Sequence, residues 1–202
     1  MTVTLIMTGA SGVQYGLRLL EELIKANVSI NLLVSRPAHI VINTETNLKL
    51  PSRASEIQAF FSERYNAKAG QINAYEREQW SAPIASGSGV ADVTVVCPCT
   101  TGTLSSIAVG SSKNLIERAL DVVIKERKKL ILVVRETPFS DIHLENMLKL
   151  SRMGVVIMPA NPGFYHQPNT LEDIVDFMVA RILDHIGIPQ KILPVWGANI
   201  ND

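Results

Sequence analysis

Short apolar runs alternate along the chain with longer stretches in which apolar residues recur every three or four positions. The short runs are 3–8 (VTLIMT), 29–35 (SINLLVS), 93–97 (VTVVC), 130–134 (LILVV) and 155–158 (VVIM). They are rich in Val, Ile and Leu and do not alternate cleanly with polar residues, the pattern of strands buried on both faces. Helical spacing predicts helices over 13–26, 37–43, 54–65, 103–109, 114–128, 141–152 and 171–186. Helices between buried strands imply parallel crossovers, so the fold class expected is a doubly wound, mostly parallel, three-layer α/β/α sheet. The segment 66–92 is the least regular, and Ala85-Ser86-Gly87-Ser88-Gly89 within it reads as a flexible loop. Residues 1–186 form a single domain on this reading. The tail, 187–202, holds Ile188, Ile192, Leu193, Val195 and Trp196 among two prolines. It cannot extend the last helix, yet it is apolar, and is expected to pack on a neighbouring subunit.

Composition narrows the function. A chain of 202 residues is one ordinary α/β domain in size. Nineteen Lys and Arg balance nineteen Asp and Glu, so the basic excess of a nucleic-acid binder is missing. The 47% hydrophobic content excludes general disorder. No apolar run approaches the roughly 18 residues of a membrane span. The chain starts almost at once on a strand, without the pattern of a secretory signal. Cys97 and Cys99 sit too close along one strand end for a good disulfide. Without partner Cys or His residues at ligand spacing they do not make a zinc site either. A cytoplasmic protein with reduced thiols and no metal is expected.

In doubly wound folds ligands sit beyond the carboxyl ends of the strands, and four of the five predicted ends carry unusual chemistry. After the first comes Thr8-Gly9-Ala10-Ser11-Gly12, which can turn tightly and point amides at an anion, or be a plain β–α turn. Gly9, Gly12 and Gly16 miss the G-x-G-x-x-G spacing of dinucleotide binders. The second strand ends in Ser35-Arg36 rather than an acid, and Ser35 can cap the next helix with Pro37 in its first turn. The third ends in CPCTTGT (97–103), whose hydroxyls and amides could converge on one phosphate. Micromolar affinity needs about 8 kcal/mol, so several such contacts must act together. Asn114, Arg118 and Lys125 share one helical stripe, which solvent alone could explain. Arg135 and Glu136 leave the fourth strand together, the one suited to gripping phosphate and the other to carrying a proton. The fifth strand leads to a rigid turn bearing Phe164, Tyr165 and His166. On the last helix Asp173, Asp176 and Asp184 share a face, while Arg181 lies at the apolar edge beside Ile174 and Phe177, where a cation needs a partner.

These segments together resemble the flavin prenyltransferase family, the UbiX-type enzymes. The resemblance covers essentially the whole chain, through TGASGVQYG (8–16), TET (44–46), SGSG (86–89), CPCTTGTL (97–104), NLIERALDVVIKERKKL (114–130), RETPFS (135–140) and PGFYHQP (162–168). It implies a Rossmann-like flavoprotein that binds reduced FMN. It also implies metal-independent transfer of a dimethylallyl group from dimethylallyl phosphate to the flavin N5 and C6. The product, prenylated FMN, would serve UbiD-type decarboxylases in ubiquinone biosynthesis or related aromatic-acid decarboxylation. The family assembles as dodecamers with the site between subunits. By position, the resemblance assigns FMN contacts to Gly9, Ala10, Ser11, Ser35, Thr100, Thr101, Gly102, Thr103, Arg118 and Arg135. Ser11 and Glu45 should lie near N5. Lys125, Arg135, Glu136, Tyr165 and Arg181 should surround the allylic phosphate, with Glu136 relaying a proton to the leaving group. Trp80 and Trp196 are candidate walls for the prenyl group. Gly102 stands where the family often has lysine, so backbone amides must substitute there.

Three other readings compete. A flavin-dependent decarboxylase of the related cysteine-decarboxylating flavoproteins would carry an early histidine, which the helix after the first strand lacks. A non-catalytic FMN carrier would need the phosphate turns but not Lys125, Glu136 and Arg181 together. A nicotinamide reductase is weakened by the glycine spacing.

Overall fold

The computed structural model describes residues 1–194. Six parallel strands form one sheet: β1 (Thr2–Met7), β2 (Ser29–Val34), β3 (Ile72–Ala74), β4 (Val93–Cys99), β5 (Lys129–Val134) and β6 (Val156–Pro159), in the order β3-β2-β1-β4-β5-β6. Seven α-helices connect and flank them among the described residues: α1 (Val13–Lys25), α2 (Arg36–Glu45), α3 (Ala54–Arg64), α4 (Thr101–Ala108), α5 (Leu115–Lys125), α6 (Asp141–Arg152) and α7 (Leu171–Ile186). The expected doubly wound α/β sheet is thus present, and all five predicted strands and seven predicted helices form.

The period of two along each strand divides its side chains between two cores. Val3, Leu5, Met7, Ile30, Leu32, Val95, Cys97, Ile131 and Val133 face the layer built from α1, α2, α3 and α7. Ile6, Leu33, Val96, Cys99, Leu132 and Val134 face α4, α5 and α6. Runs without polar alternation therefore mark strands covered on both sides. Helix α1 crosses β4 so closely that a Cβ on Gly16 would collide with the Cys97 carbonyl. That contact explains a glycine inside a helix, where it otherwise costs about 1 kcal/mol.

Three features differ from the sequence expectation. β3 is a three-residue edge strand inside the segment that reads as irregular. The serine–glycine stretch is not a shapeless loop: Pro83–Ala85 and Gly87–Gly89 form short 3-10 turns. The tail does not leave its own domain at 187. Ile188 and Leu193 are buried in the core shared with α1 and α7, and Gln190 accepts the Ile192 and Leu193 amides at 3.0 Å. Val195 and Trp196 lie outside the described residues.

The strand order reverses between β1 and β4. The crevice beyond their carboxyl ends is where such a sheet binds its ligand.

Candidate functional site

Thr8 follows β1 with a buried hydroxyl that ties the ends of two strands together. It donates to the Pro98 carbonyl at 2.8 Å and accepts the Thr100 amide at 2.9 Å. Thr100 is thereby set as the cap of α4. Its hydroxyl accepts the Thr103 amide at 3.0 Å and donates to the Thr103 hydroxyl at 2.9 Å. Ser35 caps α2 in the same way, accepting the Ala38 amide at 3.2 Å. Gly9 has no room for a side chain, because a Cβ there would run into Pro37 in the first turn of α2. A cleft of about 200 Å³ lies between these turns, lined by Thr8, Gly9, Ser35, Pro37, Thr100 and Thr103. Arg36, Arg77, Ser106, Asn114, Ile116 and Glu117 complete its wall. Hydroxyls, two arginines and the positive end of α4 border it, a donor set that suits a phosphate, with the Glu117 carboxylate on the same wall. The cleft fits the phosphate end of FMN.

On the other side of the β1 turn, the Arg135 Nε donates to the Ser11 carbonyl at 3.2 Å, bringing the end of β5 to the end of β1. Glu136 follows, partly exposed, with its carboxylate accepting the Thr137 amide at 3.1 Å. Glu45, the last residue of α2, reaches across to α1. Its carboxylate accepts the Gly12 amide at 2.9 Å and the Val13 amide at 3.4 Å. Ala10 is buried within the same turn, its amide donating to the Thr8 carbonyl at 2.9 Å. Thr101 and Gly102 form the first turn of α4, and a Cβ at Gly102 would meet nothing closer than the Thr100 hydroxyl at 3.9 Å. The turns after β1, β2, β4 and β5 thus carry Gly9, Ala10, Ser11, Ser35, Thr100, Thr101, Gly102, Thr103, Arg135 and Glu136 at one edge of the sheet; of these Gly9, Ser35, Thr100 and Thr103 line the cleft, while Glu45 borders a different hollow, between α1, α2 and α7.

The remaining assigned residues lie elsewhere on the chain. The start of α5 borders the cleft through Asn114 and Glu117, but Lys125 is at its far end, about 12 Å along the axis past Glu117. Lys125 pairs there with Glu126, whose carboxylate lies against Gly87. Arg118 donates to the Ala85 carbonyl at 3.0 Å and pairs with Asp121 at 3.0 Å. The stripe of Asn114, Arg118 and Lys125 is thus only partly a solvent face, since the 3-10 turns pack along it. Tyr165 stands edge-on to Phe177 with ring centres 5.6 Å apart, and His166 stacks on the same ring at 5.2 Å. Arg181 pairs with Asp184 at 2.8 Å and borders a separate hollow along β6. Asp173 caps α7 and Asp176 pairs with Arg18 of α1 at 2.7 Å. Trp80 is 48% exposed and does not line the cleft. Trp196 lies outside the described residues.

Both cysteines are fully buried, and burial pushes their thiols up, Cys99 to about 12, so neither is a nucleophile near neutral pH. Among the described residues no cluster of His, Cys, Asp or Glu could hold a metal ion, and no helix is long and apolar enough to cross a membrane. Sequence reasoning did not count Thr8 and Arg77 as site residues. Thr8 carried a signal, a polar residue closing a buried strand just before the glycine turn. Arg77, in the irregular segment, carried none.

The flavoprotein family model matches residues 1–183. A flavin prenyltransferase UbiX of Pseudomonas aeruginosa is 57% identical over 195 residues, covering 96% of this chain and 93% of that one. The chain belongs to the UbiX-type flavin prenyltransferase family. Among solved structures, AnUbiX (PadA1) in complex with FMN and dimethylallyl pyrophosphate is 35% identical, with a TM-score of 0.85 and coverage of 98% and 97% of the two chains. A dodecameric FMN-dependent UbiX-like decarboxylase from Escherichia coli O157:H7 is 40% identical, also with a TM-score of 0.85, covering 98% of this chain and all of that one. Membership of the family makes this chain an FMN-binding flavoprotein, and the crevice at β1, β2 and β4 has the donors to hold that nucleotide's phosphate.

Proposed function

We propose that this protein is a flavin prenyltransferase that joins the dimethylallyl group of dimethylallyl phosphate to N5 and C6 of reduced FMN. The prenylated FMN it releases is taken up by a UbiD-type decarboxylase. The observation that carries the reading is a phosphate-suited cleft at Thr100 and Thr103 together with a cation and an acid, Arg135 and Glu136, adjacent in sequence at the end of β5, with Arg135 tied to the other side of the β1 turn. An FMN carrier needs the first and has no use for the second.

Reduced FMN supplies the nucleophilic positions. The residues of this chain hold it and manage the charge on the donor. Thr100, Thr103 and the α4 amides would hold the FMN phosphate, with Ser35 beside them. As the allylic C–O bond breaks, negative charge gathers on the departing phosphate. Arg135 is fixed in advance by its bond to the Ser11 carbonyl and can meet that charge without reorganising. Glu136 is placed to pass a proton to the leaving phosphate, the general-acid role its partial exposure permits. Lys125 and Arg181 would add positive charge, and the Tyr165–Phe177 pair an aromatic face for allyl-cation character. Lys125 ends α5 about 12 Å along the axis past Glu117, away from the cleft. The reading therefore requires an oligomer in which a neighbour supplies it, and a relative of the same fold is dodecameric.

The direct test is to mix the purified protein anaerobically with reduced FMN and dimethylallyl phosphate and weigh the released flavin by mass spectrometry. A gain of one dimethylallyl unit is expected, and Glu136→Gln should bind FMN normally but abolish that gain. Bound FMN that stays unmodified with both the monophosphate and the diphosphate donor would put the carrier reading ahead.

A further inference from the structure

The edge strand β3 also sends a residue to the cleft beyond its carboxyl end, where the other strands deliver theirs. Past β3 the Tyr75 amide still donates to the Leu32 carbonyl at 3.1 Å, so the chain runs on beside β2. Two residues later the Arg77 carbonyl accepts the Leu115 amide at 2.8 Å. That bond ties Arg77 to the first residue of α5, and Arg77 lines the cleft together with Asn114. The neutral donors of the cleft are partly spent. The Thr100 amide goes to the Thr8 hydroxyl and the Thr103 amide to the Thr100 hydroxyl. Charge has to supply what they do not. Glu117 stands on the same wall as an anion, held so by the Ser111 hydroxyl and the Lys113 amide at 2.7 Å each. Arg36 alone would only balance it, leaving a neutral cleft for a phosphate monoester of charge about −1.5 to −2. Arg77 gives the cleft a positive surplus. Its guanidinium pairs with the adjacent Glu78 at 3.6 Å, both side chains being more than half exposed. Such a pair holds weakly and lets the guanidinium turn to a stronger anion.

We infer that Arg77, delivered by the edge strand, is the residue that selects the phosphorylated flavin, its guanidinium closing over the FMN phosphate held at Thr100 and Thr103. Two parallel N–H groups of an arginine can meet two phosphate oxygens at once. This deepens the reading that the cleft takes the FMN phosphate and rests on it. It adds what separates FMN from riboflavin, which has the same ring and ribityl chain and no phosphate.

The test is equilibrium titration of the full-length protein and its Arg77→Gln, Arg77→Ala and Arg77→Lys variants with FMN and with riboflavin, alongside thermal unfolding of each. The contact of Arg77 with α5 is made by its carbonyl, which every variant keeps. The wild type should prefer FMN. In Arg77→Gln and Arg77→Ala the FMN dissociation constant should rise about tenfold, the loss expected of one charged donor, while that for riboflavin is unchanged. Arg77→Lys retains the charge without the planar fork, so it should keep more of the preference than Arg77→Gln. An FMN preference unchanged in folded variants would overturn the inference and leave the cleft as a phosphate site. An equal loss for both flavins would also overturn it, making Arg77 a brace for α5. A wild type that binds both flavins equally well would overturn the phosphate cleft itself, and the inference with it.

Discussion

Replacing Thr8 by Val keeps the shape of the side chain and removes one hydroxyl that sits 2% exposed between β1 and β4. Two hydrogen bonds go with it, the donation to the Pro98 carbonyl at 2.8 Å and the acceptance from the Thr100 amide at 2.9 Å. The carbonyl keeps a second donor, the Thr8 amide at 3.2 Å, so its loss is only the net worth of one bond, about 1 kcal/mol. The Thr100 amide has no such reserve and is left unpaired, at about 1–3 kcal/mol. The added methyl group returns part of this as apolar burial, about 0.8 kcal/mol at most. A net loss of about 1–3 kcal/mol follows, with a fall in melting temperature of about 2–4 °C per kcal/mol for a domain of this size. Chemical and thermal unfolding at one fixed protein concentration measure it. FMN affinity should fall too, because the Thr100 cap that orders the phosphate turn has lost its anchor. Thr8→Ser, which keeps the hydroxyl, should restore most of both. A Thr8→Val protein within about 0.5 kcal/mol of wild type, the range of an inert surface change, would refute the reasoning.

Glu117 gives a pH signature. Burial raises its carboxyl, but the Lys113 amide, the Ser111 hydroxyl and the Asn114 side chain outweigh that and hold it below the usual range. A depressed folded value means the stabilisation is fully present above the unfolded value near about pH 4.3 and is lost as pH falls through the folded one. The stability gap between wild type and Glu117→Gln should therefore shrink between about pH 6 and about pH 3; a gap independent of pH would count against the assignment. The cysteines give a chemical signature. With both thiols buried and raised, a thiol reagent at about pH 8 should label the native protein far more slowly than the unfolded one, and fast labelling of the native state would contradict the burial.

Much of the fold was legible because its strands are covered on both faces, so apolar runs such as 130–134 announce themselves without neighbours. β3 escaped because three residues at a sheet edge carry no period. The serine–glycine stretch misled for a related reason: glycine is read as freedom, yet Gly87 is held against Glu126 and Gly89 against the Pro83 carbonyl. Ile188 and Leu193 read as an apolar tail in search of a partner, when their partner is the chain's own α1–α7 layer. At the site, residues that follow strands directly could be placed from topology alone, and Ser35, Thr100 and Arg135 are where that rule puts them. Glu45 could not be placed so. A lone acid in a polar stretch looks solvated, and its engagement with α1 depends on how α2 docks. Lys125 and Arg118 could be put on one stripe, but a stripe says nothing about which crevice it serves.

That last point makes the assembly testable. The cleft borders the first turn of α5 and Lys125 ends the helix about 12 Å along the axis past Glu117, so the proposed use of both Lys125 and Glu136 is expected to draw them from different copies of the chain. Lys125→Ala and Glu136→Gln should each be inactive alone. Co-expressed with separate tags and purified as mixed oligomers, they should recover activity. A crevice works when its own chain keeps Glu136 and the neighbour keeps Lys125, which random mixing at equal levels supplies in about a quarter of the sites. Mass spectrometry of the flavin product gives the rate. Recovery to that level would establish that the site is shared and that oligomerisation is part of the catalytic apparatus. Mixed oligomers as inactive as their parents would mean that no crevice combines the two residues across a subunit boundary, and would remove Lys125 from the proposed site.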